Sequence, residues 1–296
     1  MLICDPIAAN RSATRSSFAA LGFGRAVAVA DLDSFARSWA ATPFDLLVAD
    51  VTENPTQVYD LVRSIRDGKI GKNPFVHMVL TAWKLEGDLV QAALSCGADD
   101  LIMRPFSVDL LSRRVRTNMA SRKQFVVTAD YMGPDRRRAP PRNSPSLMQV
   151  PNILLAKARN GQKGGVSAME EVKLACRKVD AERMRRCAFK IACLFHTLRD
   201  AADAKQSLEN ELDKMETTAN DLAARLRSTP LKDAQQSVAS LLSGVGSVRS
   251  GGAVAPIDGL SRALLDALYP KQDRAQLWQE VEATVATIKS RERGKG

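Results

Sequence analysis

Short apolar runs recur along the first part of this chain, at Leu2 to Cys4, Ala26 to Ala30, Phe44 to Ala49, Phe75 to Leu80 and Leu101 to Met103. Longer amphipathic stretches separate and follow them: Asn10 to Leu21, Leu32 to Ala41, Thr56 to Asp67, Glu86 to Cys96 and Ser107 to Arg122. Each run is too short for a helix and too continuously apolar for a strand with one wet face, as expected of strands covered on both sides. Strict alternation of this kind predicts an α/β domain with a doubly wound, five-stranded parallel sheet and right-handed crossovers over residues 1–122.

In such a sheet, ligands and chemistry collect beyond the carboxyl ends of the strands. The residues at those ends are Asp5 after the first run, Asp50 after the third, Thr81 after the fourth, and Arg104 with Pro105 after the fifth. A carboxylate can attack a phosphoryl group, but the charge that gathers has to be offset by a cation and fixed donors. A magnesium ion held by carboxylates, carbonyl oxygen and water would suit, with the Thr81 hydroxyl and the Arg104 guanidinium on the phosphoryl oxygens. Any one of these residues could merely cap a strand end, whereas all of them in this order are hard to assign to caps alone.

The stretches LICDP, FDLLVAD, HMVLTAW and AALSCGADDLIMRPFSVDLL resemble the receiver domain of bacterial two-component response regulators, over Met1 to about Arg122. The resemblance implies a flavodoxin-like fold and a phosphoryl-accepting aspartate at Asp50. It also implies a metal-binding acid at Asp5, a switch threonine at Thr81 and, at Arg104, the basic residue before Pro-Phe. Mg2+ is the implied cofactor, held by Asp5, Asp50 and a backbone carbonyl assigned to Thr52; a sensor histidine kinase or phosphotransfer protein is the implied partner. Four departures bear on this. Cys4 stands where an acid is usual, and a thiol is a poor magnesium ligand. Arg104 stands for lysine, and its planar fork changes the contact geometry. Leu101 replaces an aromatic, and the VTENP loop after Asp50 is longer than usual. Either Asp50 is still phosphorylated, or the domain is a phosphate-independent scaffold or adaptor.

The formal net charge of +10 is not spread evenly. Residues 1–122 carry 14 basic and 13 acidic side chains, whereas 123–165 carries 8 against 2 together with Pro134, Pro140, Pro141, Pro145 and Pro151. The composition of 123–165 predicts a basic, proline-rich linker, and within it GPDRRR (Gly133 to Arg138) is a candidate recognition element for acidic partners. No helix-turn-helix pattern, Walker loop or HExxH pair follows, so nucleic-acid binding and stand-alone metabolic catalysis are not indicated. Five cysteines without CxxC spacing and only two histidines argue against a disulfide framework or a zinc site. No window approaches the roughly 18 apolar residues of a membrane span. With the first strand beginning at once, a cytoplasmic protein is expected.

Residues 166–296 read as all-helical. Leu208, Leu212, Met215, Ala219, Leu222 and Leu226 are spaced 4, 3, 4, 3 and 4, a heptad seam closed by Pro230. That seam favours a coiled coil in a homodimer, with an intrachain bundle as the alternative. SGVGSVRSGG (Ser243 to Gly252) reads as a flexible linker, and Ile257 to Leu268 and Arg274 to Ile288 as two more helices. FHTLRDAA, around His196, resembles the helix of histidine phosphotransfer domains but has Arg199 and Asp200 where that family has lysine and glycine. The expectation is a response regulator that accepts phosphate on Asp50 and signals to a downstream protein target through its helices. A phosphotransfer role for His196 is a weaker rival.

Overall fold

A computed structural model describes residues 1–84, 86–137 and 147–293. Its contacts divide the chain into two compact units, Met1–Val179 and Asp180–Gly296.

The first unit contains the expected alternation: β1 (Leu2–Cys4), α1 (Ala8–Ala19), β2 (Val27–Val29), α2 (Leu32–Ala41), β3 (Leu46–Asp50), α3 (Pro55–Arg66), β4 (His77–Ala82), α4 (Asp88–Ser95), β5 (Asp100–Met103) and α5 (Val108–Ala120). The five strands pair in the order β2-β1-β3-β4-β5, all parallel, which is the flavodoxin-like order. Period-2 alternation divides the core into two layers. Leu2, Cys4, Leu47 and Ala49 pack with Phe35, Val58 and Val62 of α2 and α3 on one face. Ile3, Leu46 and Val48 pack with Phe18 of α1 and Leu111 and Val115 of α5 on the other. Local chemistry starts three of the helices. The Asp31 carboxylate accepts from Ser34 N at α2, the Ser107 hydroxyl accepts from Leu110 N at α5, and Pro55 opens α3.

The described part of 123–165 differs from the predicted linker. It carries β6 (Phe125–Val127), β7 (Met132–Pro134) and β8 (Leu147–Met148), an antiparallel sheet in the order β7-β6-β8. Phe125, Val127 and Met132 are buried with Phe75, Ile153, Ala168 and Val172. A few large apolar anchors thus outweigh the basic, proline-rich composition around them. The prolines at 140, 141 and 145 lie outside the described residues. Helix α6 (Ile153–Asp203) follows, interrupted at Gly161, whose φ of 58° and ψ of −145° lie outside the helical region.

The second unit holds the end of α6 with α7 (Glu209–Leu226), α8 (Lys232–Arg249), α9 (Pro256–Leu268) and α10 (Arg274–Arg293). The heptad seam is buried inside this unit, where Leu212, Met215, Ala219, Leu222 and Leu226 are sealed from solvent and α8 packs on α7. The intrachain bundle therefore accounts for these positions without a second chain. The glycine-rich stretch expected to be a linker lies within α8 as far as Arg249. A Cβ at Gly244 would stand 3.5 Å from a Leu260 methyl and 3.8 Å from Ile257, so packing of α8 on α9 overrides the low helix propensity of glycine. No helix among the described residues is long and apolar enough to cross a membrane.

Candidate functional site

Parallel register places Asp50, the last residue of β3, directly beside Thr81 of β4. Asp5 follows β1 in the adjoining position and Arg104 follows β5, its amide donating to Ala82 O. Asp5, Asp50, Thr81 and Arg104 meet at one edge of the sheet. They are nearly inaccessible: Asp5 is 1%, Thr81 1%, Asp50 7% and Arg104 9% exposed.

Arg104 is the hub. Its Nε donates to Asp50 Oδ2 at 3.2 Å, and its Nη2 reaches Asp5 Oδ2 at 3.1 Å, Thr14 Oγ1 at 2.8 Å and Thr81 Oγ1 at 3.3 Å. The guanidinium also lies 5.0 Å from the Phe106 ring centre. Thr81 Oγ1 donates to Asp50 Oδ2 at 2.9 Å. The other oxygens are held by backbone: Asp50 Oδ1 accepts from Thr52 N at 2.9 Å and Asp5 Oδ1 from Ile7 N at 2.9 Å. Thr52 Oγ1 in turn accepts from Trp83 N at 3.2 Å. Burial, reinforced by the Asp50 charge, pushes the Asp5 carboxyl above its usual range against the pull of the Ile7 amide and Arg104. The cup opens on a cleft lined by Cys4, Asp31, Asp33 and Glu53 together with Asp50.

This arrangement provides a nucleophilic oxygen, a hydroxyl donor and a fixed guanidinium within hydrogen-bond reach of one another, the set that phosphoryl acceptance requires. It does not fit the magnesium ion that the resemblance implies. Each oxygen of Asp5 and Asp50 accepts at least one donor, and the Arg104 guanidinium bridges the two carboxylates, so a divalent ion on both would stand against a fixed positive charge. Cys4 adds nothing, because burial pushes its thiol up to about 12, so it stays a neutral, soft group. Among the described residues no group of three or more His, Cys, Asp and Glu side chains could hold a metal.

Thr14 is the residue that sequence reasoning missed. It is fully buried on α1, one turn before Phe18, and it holds Nη2 at 2.8 Å, more closely than Asp5 does at 3.1 Å. Its signal was a hydroxyl on the apolar stripe of α1.

Two further candidates fall elsewhere. Arg136 Nη2 donates to Ala98 O at 2.6 Å, and Arg137 pairs with its neighbour Asp135 at 2.7 Å. A Cβ at Gly133 would lie 2.8 Å from Gly97 Cα. These residues clip β7 to the turn before β5, while Arg138 lies outside the described residues. His196 is only 6% exposed, with its ring 5.2 Å from Trp278 and Nδ1 3.3 Å from Arg199 Nη2. Burial, with the Arg199 charge, lowers its pKa. A phosphoryl-carrying imidazole must be reached by its partner, which this burial prevents.

No protein-family model and no curated protein matches the chain. Among solved structures, it is similar to a response regulator from Thermotoga maritima, with 22% identity and a TM-score of 0.36 over 40% of this chain and 96% of that one. It is likewise similar to a signal receiver domain of a two-component signal transduction (histidine kinase) protein from Clostridium thermocellum, with 19% identity and a TM-score of 0.35 over 39% of this chain and 93% of that one.

Proposed function

We propose that residues 1–122 act as the receiver of a two-component phosphorelay, with Asp50 as phosphoryl acceptor, and that the helical residues 166–296 carry the output to a downstream protein by contact. The observation that carries this reading is the convergence on Asp50 Oδ2 of the Thr81 hydroxyl at 2.9 Å and the Arg104 Nε at 3.2 Å, at the end of a parallel strand. In the transfer step, a carboxylate oxygen of Asp50 forms the new P–O bond. The donor's P–N or P–O bond breaks, and its electron pair stays on imidazole or acetate. Thr81 and Arg104 then hold the phosphoryl oxygens through charge-assisted hydrogen bonds. In this reading the chain works in the cytoplasm beside a sensor histidine kinase or phosphotransfer protein.

A second reading, a phosphate-independent scaffold, is favoured by one specific observation: both carboxylate oxygens of Asp50 are held by protein donors, from Thr52, Thr81 and Arg104. Incubation with acetyl phosphate separates the two. A receiver gains the mass of one phosphoryl group, labile to hydroxylamine, and Asp50→Asn does not; a scaffold gains nothing in either form.

A further inference from the structure

The poor fit of a metal to this site has a positive counterpart in what fills the space. Asp5 Oδ2 and Asp50 Oδ2 both face the same guanidinium, at 3.1 and 3.2 Å. The Thr14 and Thr81 hydroxyls occupy its remaining reach, at 2.8 and 3.3 Å. Every one of these groups is buried. A guanidinium keeps its charge at all accessible pH values and presents a flat fork that can serve two carboxylates at once. A divalent ion entering between Asp5 and Asp50 would have to strip both oxygens of their donors and then sit against a fixed positive charge. The obstacle is the guanidinium charge itself, since a magnesium-like ion keeps most of its water and needs only one or two carboxylates.

Resting on the receiver reading of Asp50, we propose that Arg104 is the resident cation of this site, so that the phosphoryl group on Asp50 is compensated by the guanidinium and no divalent metal is bound. Thr14 is a positioning residue: it accepts from Nη2 and fixes the plane of the fork so that Nε meets Asp50. As Asp50 takes the phosphoryl group from acetyl phosphate, acetate leaves with the electron pair of the broken P–O bond. Arg104 then turns its Nε donor from carboxylate to phosphoryl oxygen while Asp5 and Thr14 keep their hold on Nη2.

Two measurements on the full-length protein test this, using Mn2+ as the metal probe and acetyl phosphate as the phosphodonor. In the first, Mn2+ is titrated into wild type and Asp50→Asn and followed by electron paramagnetic resonance. The expected result is no saturable site that differs between the two proteins. Arg104→Ala, which frees Asp5 and Asp50, should gain one site per chain. A wild-type site that Asp50→Asn abolishes overturns the proposal, whether or not the Arg104 variant folds. In the second, phosphorylation by acetyl phosphate is expected to proceed unchanged when Mg2+ is replaced by EDTA; labelling that requires Mg2+ overturns the proposal and leaves the receiver reading standing. Absence of label under both conditions removes the receiver reading instead, and the Mn2+ titration still decides what the site binds.

Discussion

Arg104 and Arg66 bury their guanidinium groups at opposite edges of the parallel sheet, and the two are held differently. Arg104, beyond the carboxyl ends of the strands, binds only side chains: two carboxylates and two hydroxyls. Arg66, at the amino ends of β4 and β5, donates to the backbone carbonyls of Gly97, Pro74 and Val76 as well as to Asp99, and is stacked over Phe125. Arg122 adds a second cation to the same Asp99 and donates to Phe75 O and Pro151 O. Against the cost of burial, Arg66 and Arg122 hold the Asp99 carboxyl below its usual range. Carbonyls of loops cannot turn away or change their charge, so a guanidinium saturated by them is a fixed strut. A guanidinium held by side chains can exchange one partner for another. The partners, rather than burial, mark the Arg66 cluster as structural and leave the Arg104 cluster free to exchange partners, as the proposed phosphoryl transfer needs.

The largest expected effect tests the strut. Arg66→Ala strands several buried carbonyls and leaves Asp99 short of a partner, so urea unfolding should register a loss of about 3–5 kcal/mol. Arg104→Ala should lose less than half as much, because the carboxylates it leaves keep their Thr81, Thr52 and Ile7 donors and Asp50 lines an open cleft. Equal losses would break the comparison.

A smaller effect depends on pH. His77 lies at the start of β4 against Arg122, and burial together with that charge lowers its pKa from 6.5 to about 4. The fold therefore accepts the neutral ring, while the unfolded chain takes a proton below its ordinary pKa. Stability should be full above about pH 6.5 and fall as the pH drops towards 4, by about 3 kcal/mol at most. His77→Gln should flatten this part of the profile. A wild-type curve that is already flat there would show that the amino-edge cluster does not exclude the charged imidazole.

Legibility in the sequence follows the range of the interactions. The five strands of the parallel sheet could be read because continuous apolar runs and amphipathic periods are local signals, and Asp5, Asp50, Thr81 and Arg104 because each follows an apolar run in the sequence. Thr14 could not be assigned, since its role exists only through Arg104, distant in the chain, and its own neighbourhood on α1 is merely helical. The same holds for the strut, where Arg66 and Asp99 look like ordinary charges until the fold brings them to 2.7 Å. β6 and β7 were hidden by their three-residue length and by the arginines and prolines beside them. In α8, glycine propensity pointed one way and packing decided the other.

The contrast between the two guanidinium groups can be observed directly by NMR of the arginine Nε–H resonances, assigned with Arg104→Lys and Arg66→Lys, before and after addition of acetyl phosphate. The account predicts that the Arg104 resonance moves and that of Arg66 stays. An unmoved Arg104 signal in protein shown by mass to be phosphorylated, or equal movement of both, would contradict it.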